Sequence, residues 1–148
     1  MYDNITHNKR TCGECTACCY FLEIHETNSP VNELCSKCDN GCTIYNDRPT
    51  ACNSFQCLWL SQEQIPDSLR PDKCGILFEL PYMCSTYIGY TNSDNWDTDE
   101  IRTLIGKINL SGHSVVVKDK SGNKTFSLTE GQTREQMHDD INNSVRAR

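Results

Sequence analysis

A chain of 148 residues usually folds as one domain, and here 14 basic residues stand against 20 acidic ones for a formal charge of −6. That balance offers no basic excess to displace counterions from a nucleic acid or to hold an anionic membrane surface, so neither partner is expected. Met1 to Arg10 lack the apolar run of a secretory signal, and no stretch of the sequence nears the roughly 18–20 apolar residues of a membrane helix. The chain therefore reads as soluble and cytoplasmic, where thiols stay reduced and clustered cysteines bind metal more often than they form disulfides.

Cysteine dominates the first third. Nine of the eleven cysteines lie between residues 12 and 57, and the odd total leaves one thiol unpaired in any all-disulfide scheme. The run opens as Cys12-Gly-Glu-Cys15-Thr-Ala-Cys18-Cys19. Thiols two residues apart let a short loop wrap one ion, because both sulfurs reach the same concavity. The start resembles a bacterial ferredoxin, but Cys19 stands where that pattern continues x3-C-P, so the match fails at its fourth position. Adjacent cysteines close a strained ring around one ion, so Cys18 and Cys19 are expected to point to different places. They serve two neighbouring sites, or one packs as a small apolar residue.

Tyr20, Phe21, Leu22 and Ile24 suggest a short strand from Cys19 to His25, ended by the turn Asn28-Ser29-Pro30. His25 reads more readily as a solvated side chain than as a ligand. Cys35-Ser-Lys-Cys38-Asp-Asn-Gly41-Cys42 forms the second ligand group, with zinc-knuckle spacing and a glycine that lets the backbone turn back. Pro49 suits a first helical turn, with Asp47 as a cap, and Cys52, Phe55 and Trp59 recur on one helical face. Cys57 lies about 500° of rotation beyond Cys52, so either the helix loosens before it or the two thiols serve different sites. Arg48 reads equally as a counter-charge to a thiolate cluster and as a surface arginine.

The ordered set C-x2-C-x2-C-C, a middle cysteine group, then Gly41-Cys42-Thr-Ile44-Tyr45-Asn-Asp-Arg48-Pro49-Thr-Ala-Cys52-Asn-Ser-Phe55-Gln-Cys57-Leu-Trp59-Leu60 resembles the CxxCxxCC family, the YkgJ-like cysteine-cluster proteins. Leu69-Arg70-Pro71-Asp72-Lys73-Cys74-Gly75 also looks like the continuation in some small bacterial members. The resemblance covers roughly residues 12–80 and departs at Asn53, where the family often carries arginine. It implies zinc or iron chelation. Some larger relatives are thought to be iron–sulfur-dependent protein lysine methylases, but no nucleotide-binding glycine loop stands here and that activity is not carried over.

The second half reads as a small platform. Residues 61–73 are a polar connection, Gly75–Leu80 a buried strand stopped by Pro81, and Ser85–Thr91 a second strand. Thr98 or Asp97 caps a helix with Ile101, Leu104, Ile105 and Ile108 on one face and Gly112 after its end. Val115–Val117 and Thr125–Leu128 flank a hairpin turn, and residues 133–145 form a last helix with Met137, Ile141 and Val145 four apart. Cys84 reads as a buried small residue, His113 and His138 as surface residues, and Asp139-Asp140 as a solvated face.

The expected fold is α+β. A cysteine-rich, metal-stabilised region (1–60) with few regular elements packs on a strand-strand-helix-hairpin-helix platform (61–148), and the two are expected to form one folding unit. The expected metal ligands are Cys12, Cys15, Cys18, Cys19, Cys35, Cys38, Cys42, Cys52 and Cys57, holding zinc or an iron–sulfur cluster at up to two centres. In one allocation the runs 12/15/18 and 35/38/42 each take a fourth ligand from Cys52 or Cys57. No catalytic constellation is legible. The expected function is therefore non-catalytic metal binding that organises the fold for interaction with another protein. The alternatives are an iron–sulfur redox or protein-modifying component, and a structural or virion assembly protein stapled by its cysteines.

Overall fold

The computed structural model describes residues 10, 12, 15–81 and 83–146, and the segment 1–9, read above for a secretory signal, lies outside them. The chain divides into two compact units, 1–77 and 78–148. It contains helices and a four-stranded mixed sheet, an α+β composition.

The first unit is built from very short elements: α1 (Ala17–Phe21), α2 (Thr50–Ser54), α3 (Leu58–Ser61) and α4 (Pro71–Cys74), with 3-10 turns at His25–Thr27, Tyr45–Asp47 and Asp67–Leu69. A helix this short has almost no internal hydrogen bonding beyond its first turn, so tertiary contacts must hold it. Two expectations change. The stretch from Cys19 to His25 is not a strand: its start belongs to α1, and among the described residues its one ladder contact is the isolated bridge Ile24–Ser29. An extended segment needs a partner strand to satisfy its backbone, and the tight turn through Asn28 (φ 53°) supplies only that one pairing. The helix expected from Pro49 is broken. It ends at Phe55, whose extended backbone (ψ 130°) interrupts it, and resumes at Leu58. Asp47 lies in a 3-10 turn, and the cap position of α2 falls to Pro49 with no side-chain cap bond. The polar connection 61–73 also has local structure. Pro71 opens α4 at the position where its missing N–H is harmless, and Gly75 (φ 82°) closes it.

The second unit follows the order strand, strand, helix, hairpin, helix read from the sequence. The strands are β1 (Ile76–Glu79), which carries the division between the units, β2 (Tyr87–Thr91), β3 (Val115–Lys118) and β4 (Lys124–Ser127), in sheet order β1-β2-β3-β4. β2 and β3 pair in parallel, with Tyr87 opposite Val115, and α5 (Asp99–Leu110) is the crossover that parallel pairing requires. β3 and β4 pair antiparallel, with Val116 opposite Phe126. Thr98 caps α5 by accepting from the Ile101 N–H at 3.3 Å. Ile101, Ile105 and Ile108 are buried, as their spacing predicts.

The centre of this unit is Ile88, Val116 and Met137, with Tyr90, Phe126 and Ile141 packed against them. Met137 belongs to α6 (Arg134–Arg146) and is fully buried; the Val145 side chain lies outside the described residues. Cys84 is buried, as expected of a small residue. Asp140 is not part of a solvated face. Its carboxylate accepts from the Ser85 N–H at 3.0 Å, the Ser85 hydroxyl at 3.0 Å and the Thr86 hydroxyl at 2.9 Å. His113 is also held, with Nδ1 2.7 Å from the Ser85 carbonyl oxygen and its ring edge-on to Tyr87.

Burial alone would raise the Asp140 carboxyl, but the donors from Thr86, Ser85 and Cys84 outweigh it and hold the group below the ordinary carboxylate value. A carboxyl lowered on folding contributes stability that is present above its unfolded pKa, near 3.9, and lost as pH falls through the folded value. Asp140→Asn should therefore cost about 1 kcal/mol at pH 7, a figure kept low because the carboxylate is partly exposed. In denaturant unfolding followed across pH, the gap between the two proteins should close on acidification. A gap that persists below about pH 2 would assign the effect to packing rather than to the charge.

Candidate metal centre

All eleven cysteines are free thiols. Eight of them, Cys12, Cys15, Cys18, Cys19, Cys35, Cys42, Cys52 and Cys57, line one cavity in the first unit, together with apolar residues that include Leu22, Ile24, Phe55, Trp59 and Leu77. Cys38, the ninth expected ligand, is outside the lining, but its thiol is hydrogen-bonded to Cys19. Cys74 lies at the end of α4, where its thiol contacts the Leu69 and Ile76 carbonyl oxygens, each at 3.4 Å. His25 is exposed and does not line the cavity. Cys84 belongs to the second unit.

Local backbone geometry delivers the thiols. Cys12 and Cys15 sit in a turn closed by the Cys15 N–H on the Cys12 carbonyl at 2.9 Å. Cys18 and Cys19 are consecutive residues of α1 and do not diverge as expected: both line the cavity and their thiols are hydrogen-bonded to each other. The Cys35 N–H donates to the Cys19 carbonyl at 2.8 Å, and the Cys38 N–H to the Cys35 carbonyl at 2.9 Å. Cys38 and Cys42 then face each other in a bridge made possible by Gly41, whose φ of 141° suits glycine alone. The break at Phe55 puts Cys57 at the cap position of α3, which brings it to the cavity that Cys52 also lines.

A guanidinium sets the register of the entry segment. Arg10 donates to the carbonyl oxygens of Trp59 (2.6 Å), Gln62 (2.8 Å), Glu63 (2.8 Å) and Ile65, and lies over the Trp59 ring at 4.4 Å. These carbonyls belong to α3 and the turn after it, so one cation satisfies a short helix end that has few acceptor partners of its own. Sequence reading passed over Arg10, because nothing in its neighbourhood marks a partner about 50 residues away. Arg70 and Asp72 form a second local pair, with Nε 2.5 Å from Oδ1.

Electrostatics in the cavity are unfavourable to free thiolates. Burial raises Cys12, Cys15, Cys38, Cys52 and Cys74, and neighbouring charges add to it: Cys15 for Cys12, Asp72 for Cys15, Cys19 for Cys38 and Cys52, Cys15 for Cys74. Burial, with Cys12 and Cys15 adding, pushes Cys57 up to about 11. Cys19 is raised furthest, first through its bond with Cys18 and then by burial. Cys35 differs. Burial raises it, but Ser29, Thr27 and the Lys37 N–H together bring it below the usual thiol value. Arg48 supplies the counter-charge that its position suggested: it lines the cavity, lowers Cys12 and stacks 3.9 Å from the Tyr45 ring.

Among the described residues, no three His, Cys, Asp or Glu side chains are already placed to hold a metal ion. The donor set nevertheless fits a soft metal, because thiols from separate segments face one space and all are unoxidised. A second feature fits as well. Trp59 is buried at the cavity wall, and its indole N–H is a buried donor with no hydrogen-bond partner among the described residues. Such a donor is costly unless an acceptor joins it. Comparison with protein-family models, with curated proteins and with solved structures finds no match.

Removing the Arg10 clamp should loosen α3 and the turn that follows. Arg10→Ala should destabilise the first unit by about 3 kcal/mol, given the usual worth of charge-assisted hydrogen bonds. Amide exchange of residues 59–65 checks this directly: protection should fall there and remain unchanged in 87–91.

Proposed function

We propose that the first unit is a non-catalytic metal-binding domain whose thiols chelate zinc or an iron–sulfur cluster, the metal completing a fold that serves interaction with another protein. The observation that carries this reading is the convergence of eight reduced thiols on one cavity. The ordered cysteine motif supports it, through its resemblance to the CxxCxxCC family. So does the electrostatics. A divalent cation or cluster favours the thiolate form that burial and mutual repulsion otherwise oppose. Four-thiolate coordination leaves no position for a reactive water, so zinc held this way has a structural role.

The chain's own residues divide the work. Cysteines supply the sulfurs and Arg48 offsets part of their charge. The Trp59 indole is available to donate to a metal-bound sulfur, the kind of outer contact that tunes such centres. Because the helices here run only four or five residues, binding and folding should be coupled.

Anaerobic purification with elemental and sulfide analysis tests the proposal. Metal-loaded protein should hold zinc without sulfide, or iron with matching sulfide and a brown colour. Protein that binds neither zinc nor iron, even after reconstitution, would overturn it. With free metal at about a hundred times its dissociation constant, the folded unit should gain about 2.7 kcal/mol, measurable as a chelator-sensitive shift in unfolding. Cys15→Ser should lose metal and stability together, whereas Cys84→Ser should keep its metal.

A further inference from the structure

We infer that the first unit holds two separate metal centres at and beside the cavity, one held by Cys12, Cys15 and Cys57 with Cys74 as its fourth thiol, the other drawn from Cys19, Cys35, Cys38, Cys42 and Cys52. The inference rests on the metal-binding reading above and adds the partition to it. The partition differs from the one that spacing suggests, which keeps Cys18 with Cys12 and Cys15 and gives each tight run one remote ligand.

Backbone contacts carry the second group. Cys35 is tied to Cys19 by its N–H at 2.8 Å, Cys38 to Cys35 at 2.9 Å, and Cys42 is paired with Cys38 across the turn at Gly41. The Cys38 thiol closes the circle by bonding to that of Cys19. Cys52 reaches the same thiols from α2, since the charges it feels most come from Cys19, Cys35 and Cys42.

The first group is assembled by Arg10. Its hydrogen bonds to the Trp59 and Gln62 carbonyls place the residues just before Cys12 beside those just after Cys57. Cys57 accordingly feels Cys12 and Cys15, and Cys15 in turn is felt by Cys74 and contacts Asp72, two residues before Cys74. The unpartnered Trp59 N–H is an independent sign of a missing acceptor at this end, two residues from Cys57. Four thiolates saturate a zinc ion or a cluster, and nine thiols exceed what one such centre uses. Two centres of four leave two of the first unit's ten thiols over: Cys18, at the boundary that its bond to Cys19 marks, and one of the five in the second group.

The test counts zinc in the full-length chain, reconstituted with zinc alone and weighed by native mass spectrometry. Wild type should carry two ions. Cys12→Ser with Cys57→Ser should carry one, as should Cys35→Ser with Cys52→Ser, and the four changes together should carry none. A Cys12/Cys57 double variant that loses both ions, or a Cys35/Cys52 double variant that loses both, would overturn the partition, as would a wild type that holds a single ion. A wild type that holds neither zinc nor iron would instead overturn the functional reading itself. For variants that fail to fold, the unmodified chain supplies the answer through thiol alkylation at increasing zinc. Cys12, Cys15, Cys57 and Cys74 should become protected together and separately from Cys19, Cys35 and Cys52, and protection that pairs Cys12 with Cys52 would overturn the partition.

Discussion

Ionising one thiol in a half-buried cavity raises the cost of ionising the next, because each new thiolate is both poorly solvated and close to the last. The first unit is arranged around that conflict. Its thiols line one cavity, and Arg48, the donors around Cys35 and backbone donors beside Cys15, Cys38 and Cys57 act in the other direction. Ordinary packing does little to force such an arrangement, since the surrounding helices are four or five residues long. Protonated, the inward-facing thiols meet at little electrostatic cost; ionised, they need a cation beside them, and this imbalance stands behind the functional proposal.

Within that unit, long-range hydrogen bonds take over the role usually played by secondary structure. Arg10 gathers carbonyls from α3 and the turn beyond it, and Cys35 and Cys38 are fixed by backbone bonds to Cys19 and to each other. The second unit works by a more familiar logic. There, a β2-α5-β3 crossover and a hairpin bury Ile88 and Val116 against Met137, and Asp140 ties α6 to the segment before β2.

Much of the second unit was legible because each element carries its own signal. The spacing of Ile101, Ile105 and Ile108 after Thr98 marks α5, and the glycine-containing turn between two β-branched runs marks the hairpin. The parallel pairing of β2 with β3 was implied by a helix between two strands, though the sequence reading did not draw it out. The first unit was harder. Alternating apolar residues from Tyr20 to Ile24 suggested a strand, but among the described residues no partner strand runs beside them, and the start of the segment belongs to α1. A helical face through Cys52, Phe55 and Trp59 suggested one helix, and the extended residue at Phe55 made it two.

Sequence by itself determined the chemistry: the number of thiols, their grouping in close pairs, and the glycine that lets the 35–42 loop turn back. It could do so because these features depend only on residue type and short spacing. Tertiary structure alone decided which thiols are neighbours. Cys57 feels Cys12 and Cys15, and Cys52 feels Cys35, in a fold where Arg10 reaches the Trp59 carbonyl and α2 carries Cys52 to the cavity. Such proximities join separate segments of the chain, Arg10 and Trp59 standing 49 residues apart, and short-range spacing holds no record of them.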